Sequence, residues 1–146
     1  MIFGQAIDIL KTYLELSEFK PNSQGSYPLV LDDTLEIELL ENKTEEALYF
    51  WGLVMDLPVQ DRQERFLKSV LKTNLARAKI SQEYLTLDSQ SQTLMLYCKL
   101  SLANLEEQAL LDDFELFIGN LEHWQKIAQD NLSQASTFNP IFPIYP

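Results

Sequence analysis

The stretch Pro28-Leu-Val-Leu-Asp-Asp-Thr-Leu-Glu-Ile-Glu-Leu-Leu-Glu-Asn-Lys-Thr-Glu-Glu-Ala-Leu-Tyr-Phe-Trp-Gly-Leu-Val54 decides the fold. Pro28–Leu31 is short and opens on proline, which suits an edge strand. Asp32-Asp33 breaks it as a turn. Thr34–Leu40 alternates, with Leu35, Ile37 and Leu39 on one face and Glu36 and Glu38 on the other. Glu41-Asn-Lys-Thr44 turns again. Ala47–Val54 is apolar on both faces, Leu48, Phe50 and Val54 against Tyr49, Trp51 and Leu53, as a central strand requires. The reading is a three-stranded antiparallel meander.

Working outward, residues 2–18 read as a helix with two apolar rows, Phe3, Ile7, Leu10, Leu14 and Ile2, Ala6, Ile9, Tyr13, Leu16. That face is wider than the stripe of an ordinary surface helix. Either the helix is well buried, or one row packs on the core and the other meets a partner. Lys20–Tyr27 is a loop by composition. After the meander, Asp56-Leu-Pro58 opens a second helix running to about Lys79, with Asp56 as its cap. Its apolar row is Val59, Phe66, Leu67, Val70, Leu71, Leu75 and Ala78. Two strands follow, Glu83–Leu87 and Gln92–Leu102, the second with Leu94, Leu96, Cys98, Leu100 and Leu102 inward and Met95 and Tyr97 outward. Asn104 with Glu107 reads as an N-cap and capping box for a third helix, about Leu105 to Leu132. Gly119 in mid-helix predicts a close approach by another element. Thr137–Pro146 holds three prolines and cannot be helical. The expected organisation is one domain over residues 1–136 and a Pro-rich apolar tail over 137–146.

The chain has 146 residues and a net charge of −11, from 22 acids against 11 bases. That field repels phosphate backbones, so nucleic acid is not an expected partner. The longest apolar run, Ala47–Met55, is far shorter than the ~20 residues of a membrane span. No membrane insertion is expected, and the N-terminus lacks the basic region of a signal peptide. The charge is uneven: residues 61–80 hold six bases (Arg62, Arg65, Lys68, Lys72, Arg77, Lys79) and two acids.

Little here supports catalysis. One cysteine, Cys98, and one histidine, His123, cannot build a disulfide or the usual zinc site. The four glycines lie far apart, so no phosphate-binding loop is present. Asp32-Asp33 and Asp112-Asp113 read as a turn and a solvated helix face. The expectations are no enzyme, no catalytic residue, no metal and no cofactor. A binding protein remains by elimination.

The order of helix, three strands, helix, two strands, helix, in an acidic chain with a broadly apolar first helix, resembles the class I type III secretion chaperones, the Tir-chaperone-like family. The nearest signatures are Leu35-Glu-Ile-Glu-Leu-Leu, Leu48-Tyr-Phe-Trp and Gln92–Leu102. The resemblance covers residues 1 to about 132. It implies an α+β, two-layer fold, α-β-β-β-α-β-β-α with a five-stranded antiparallel sheet. It implies a bacterial cytoplasmic homodimer that binds the N-terminal chaperone-binding segment of one or more secreted effectors in an extended, secretion-competent state. The secretion ATPase or sorting machinery is a further partner of this kind. The alternative is a same-fold regulatory or adaptor protein binding a transcription or secretion factor. Phe3, Ile7, Leu10 and Leu14, with Leu29 and Leu31 of the edge strand, are expected to line the effector groove. Phe66, Leu67, Val70 and Leu71 are expected at the dimer interface. The tail residues Phe138, Ile141, Phe142, Ile144 and Tyr145 are either disordered or a placeholder for cargo in a groove.

Overall fold

A computed structural model describes residues 1–78 and 83–137, with 76–78 and 134–137 as backbone only. The elements follow the expected order: α1 (Phe3–Tyr13), β1 (Tyr27–Leu31), β2 (Leu35–Asn42), β3 (Ala47–Asp56), α2 (Gln60–Ala78), β4 (Glu83–Asp88), β5 (Thr93–Ser101) and α3 (Glu107–Thr137). The five strands form one sheet in the order β1-β2-β3-β5-β4, with every neighbouring pair antiparallel. The Pro28 strand is an edge and the doubly apolar Ala47 strand is the centre, as the opening proline and the two apolar faces predict.

Local chemistry places the turns. Asp32 and Asp33 both sit at positive φ, 51° and 59°, and Thr34 N–H bonds to the Leu31 carbonyl at 3.1 Å. This left-handed pair matches the twist of the strands it joins, and aspartate tolerates it better than most residues. At the next hairpin the Asn42 side chain accepts the Glu45 N–H at 3.1 Å. Asp88 does the same for Gln90 N–H at 3.0 Å between β4 and β5.

The helices cover one face of the sheet. Leu35, Ile37, Leu39, Leu48, Phe50, Val54, Leu94 and Leu96 point into that layer and are buried. Phe50 is its centre, with ring centroids 5.6 Å from Phe114 and 5.3 Å from Phe117 on α3. Each such side chain contributes about 1.5–3 kcal/mol by burial. The α3 row Leu110, Phe114, Phe117, Leu121, Trp124 and Ala128 is buried throughout, as its heptad-like spacing predicts.

Four boundaries differ from the sequence reading. First, α1 ends at Tyr13, not near residue 18. Leu16 N–H bonds to the Lys11 carbonyl at 3.0 Å and Glu15 N–H to Thr12 at 3.1 Å, with Glu15 at φ 54°. This is a Schellman stop with glutamate where glycine is usual. Leu14, Leu16 and Phe19 then pack on the core from irregular backbone, so part of the broad apolar face was never helical. Second, Asp56 is no cap. β3 runs through it, Leu57 N–H bonds to the Gln92 carbonyl at 2.8 Å, and α2 starts at Gln60. Third, Asn104 is left-handed, φ 58°, which an N-cap is not. The Glu106 carbonyl accepts the first α3 bond, from Leu110 N–H at 3.0 Å. Fourth, α3 runs on to Thr137. The remaining tail residues, 138–146, lie outside the described residues.

The expectation for Gly119 is also corrected. A Cβ there would meet nothing within 4 Å among the described residues. The glycine that allows close approach is Gly52 of β3, where a Cβ would lie 2.6 Å from Leu121 Cδ2. It is the point at which the sheet and α3 meet.

Candidate docking surface

Strand parity puts a second apolar surface on the side of the sheet away from the helices. In β3 the residues alternating with Leu48, Phe50 and Gly52 are Tyr49, Trp51 and Leu53. In β5 Tyr97 pairs Trp51 and Met95 pairs Leu53. In β4 Tyr84 pairs Tyr97. Val30 of β1 and Leu40 of β2 share this face. Among the described residues no helix covers it. The result is an open trough of about 810 Å³, whose floor includes Val30, Leu40, Trp51, Leu53 and Met95.

Aromatic rings run across three strands beside the trough. Tyr97 lies 4.8 Å from Trp51, 5.2 Å from Tyr49 and 6.4 Å from Tyr84, centroid to centroid. Burial, then its contact with Tyr49, pushes the Tyr97 hydroxyl up to about 12. At one end the apolar row stops at a polar cluster. Lys99 Nζ lies 2.5 Å from Glu45, and Tyr49 Oη donates to Glu45 at 3.0 Å while accepting from Asn42 Nδ2 at 2.7 Å. The Lys99 and Tyr49 hydrogen bonds hold the Glu45 carboxyl below its usual range.

Most of the residues expected to line an effector groove lie outside the trough. Phe3, Ile7, Leu10 and Leu29 are buried in the core, and Leu14 and Leu31 are half-buried against it. Phe3, Ile7 and Leu10 form the face that α1 turns to the core, and Ile2 and Tyr13 of the other row are exposed. Leu29 shares the helix-covered face of β1, with Ile37 opposite. The dimer residues divide in the same way. Phe66 and Val70 are fully buried and Leu67 is half-buried, while Leu71 is 55% and Leu75 67% exposed. One row of α2 packs onto the core, and the neighbouring row faces out beside Lys68 and Lys72.

Among the described residues no cluster of His, Cys, Asp and Glu could hold a metal, and His123 is exposed. Burial first, then Glu83 and Asp113, raises the Cys98 thiol to about 12, so it is a poor nucleophile near neutral pH. No described helix is long and apolar enough to cross a membrane.

The sequence contained the signal for the trough. Met95 and Tyr97 read as outward on their strand, and Trp51 and Leu53 as the face opposite Leu48 and Phe50 on theirs. A doubly apolar central strand needs two covers, and three helices on one face supply only one.

Comparison with known proteins adds a family. Residues 5–125 match the model of the Tir chaperone protein (CesT) family. No curated protein sequence matches the chain. Solved structures share its fold, among them three complexes. One is the HopA1–SchA chaperone–effector complex, 18% identical over 85% of this chain and 93% of that one, with TM-score 0.67. Another is the ExsC–ExsE complex, 15% identical over 88% and 97%, with TM-score 0.69. The third is the Yersinia pestis type III secretion chaperone SycH in complex with a stable fragment of YscM2, 18% identical over 82% and 97%, with TM-score 0.57.

Proposed function

The chain belongs to the Tir chaperone (CesT) family, and from that premise we propose that it holds the N-terminal chaperone-binding segment of a secreted effector, extended and ready for secretion, on the open face of its sheet. The observation that carries this reading is the trough over Trp51, Leu53 and Met95, apolar yet without a cover among the described residues. Exposed apolar patches of this kind mark interaction sites. An extended segment lies naturally along a sheet, with alternate side chains filling pockets in its floor. The edge strand β1 offers unpaired backbone beside the trough. The net charge of −11 limits self-association while the surface is empty.

The protein acts by binding alone, in the bacterial cytoplasm, and works as a homodimer. Leu71 and Leu75 on the outer face of α2, flanked by bases in an otherwise acidic chain, are the surface we assign to the second copy. Secretion ATPase or sorting components receive the loaded complex. A regulatory partner in place of cargo would use the same trough.

The test is co-expression with the secreted partner. The tagged chain is expected to retain the partner through its N-terminal segment. Trp51→Ala is expected to cut retention about tenfold or more, as loss of a central aromatic anchor does. Its stability cost, for a half-buried ring, is about 2 kcal/mol, so the variant remains folded. Undiminished retention by folded Trp51→Ala would overturn the assignment of the surface.

A further inference from the structure

Glu36 and Glu38 stand on the open face of β2, two residues apart. Their cross-strand neighbours are apolar: Val30 faces Glu36, and Pro28 and Trp51 face Glu38. Asp88 lines the trough farther along. Among the described residues no lysine, arginine or histidine lines it. The five strands hold one base, Lys99, and that base is paired with Glu45 outside the trough. Among the described residues no cation pairs with Glu36 or Glu38, and Glu38 accepts a hydrogen bond from Ser26 Oγ at 3.1 Å.

Glutamate is poorly suited to the interior of a strand, and these two are spread beside an indole and a valine. An occupant that covers the apolar floor must also dehydrate the carboxylates. Dehydrating a charge without a partner costs several kcal/mol, whereas a cation placed against it offsets that cost. The adjoining faces of Trp51 and Tyr97 also favour a cation. Side chains two apart on a strand are separated by about 7 Å, the same step as two same-side residues of an extended peptide.

We propose that the trough selects an extended segment carrying lysine or arginine two residues apart, next to large apolar residues on the same side, and that Glu36 and Glu38 are its specificity-determining residues. This rests on the open face being the cargo surface. The tail, residues 138–146, has no base and leaves both carboxylates unanswered. The α2 helix of a second copy has bases but is not extended.

The probe is a labelled peptide, Ser-Lys-Ser-Lys-Ser-Leu-Ser-Phe-Ser-Leu-Ser, with a twin that has glutamate for lysine. Fluorescence anisotropy is read against the full chain at about 50 and about 300 mM NaCl. The lysine peptide is expected to bind about tenfold tighter than its twin at low salt, and to lose most of that advantage at high salt. Glu36→Lys with Glu38→Lys is expected to reverse the ranking. Glu122→Lys with Asp130→Lys, the same charge change on exposed positions of α3, is expected to shift affinity less than about twofold. Thermal melts check that each variant is folded. Equal affinity for the two peptides, with both lost in Trp51→Ala, would overturn the inference and leave the cargo surface standing. Binding of both that survives Trp51→Ala would overturn both. Halving of the solution mass by the Glu36/Glu38 change would mean that a second copy fills the trough, and would also overturn it. So would lysine-peptide binding that appears only after deletion of residues 138–146.

Discussion

Ile7→Asp is expected to leave no folded protein. Ile7 is 6% exposed, within a cluster that includes Phe3, Ala6 and Leu10. The change removes about 1.5–3 kcal/mol of burial. It also places a carboxylate where it is either charged without a partner, at several kcal/mol, or protonated at the cost of a shifted pKa. The sum is comparable to the whole stability of a domain, about 5–15 kcal/mol. Ile2→Asp, one position off the buried row and 69% exposed, is expected to change stability by less than about 0.5 kcal/mol. Circular dichroism melts separate the two variants. A cooperative Ile7→Asp melt within a few degrees of wild type would mean that α1 does not pack on the core through this row.

The second large effect concerns two glycines. Gly52→Val is expected to destabilise by about 3 kcal/mol, the upper range for overpacking a core. Even the first added carbon would lie 2.6 and 2.8 Å from the methyls of Leu121, a side chain with no exposed surface. Gly119→Ala runs the other way. Its Cβ meets nothing within 4 Å among the described residues, so alanine is expected to add about 1 kcal/mol of helix stability. At this chain length the melting temperature falls by roughly 10 °C for the first and rises by roughly 3 °C for the second. A neutral Gly52→Val would contradict the close packing of β3 on α3. A destabilising Gly119→Ala would place an unseen neighbour against α3.

Both glycines show where sequence reading reaches and where it stops. Element order, strand parity and the α3 heptad are legible because they depend on periodicity, which each residue states locally. Gly52 and Gly119 look equally anomalous in a sequence. Only the packing of β3 against Leu121 tells them apart. In α1 the spacing showed two apolar rows and in α2 one broad row, but which side faces inward depends on how the helix docks. That is why Phe3, Ile7, Leu10, Phe66 and Val70 read as partner surface, although each is buried in the chain described. The ends of α1 and the start of α2 escaped for a different reason. A left-handed glutamate at residue 15 and a strand that continues through Asp56 are tertiary outcomes that override local preference. The trough was legible in its parts, since Trp51, Leu53, Met95 and Tyr97 all fell on one side. What was missing was the knowledge that the helices cover only the other.

Whether cargo lies on the open face of the sheet can be read by cross-linking from single positions. A photoreactive phenylalanine analogue placed at Met95, on the trough floor, is compared with one at Leu116, an exposed apolar residue of α3 on the helix side. In the complex with the secreted partner, position 95 is expected to cross-link to the partner's N-terminal segment and position 116 is not. A cross-link from 116 with none from 95 would contradict the account.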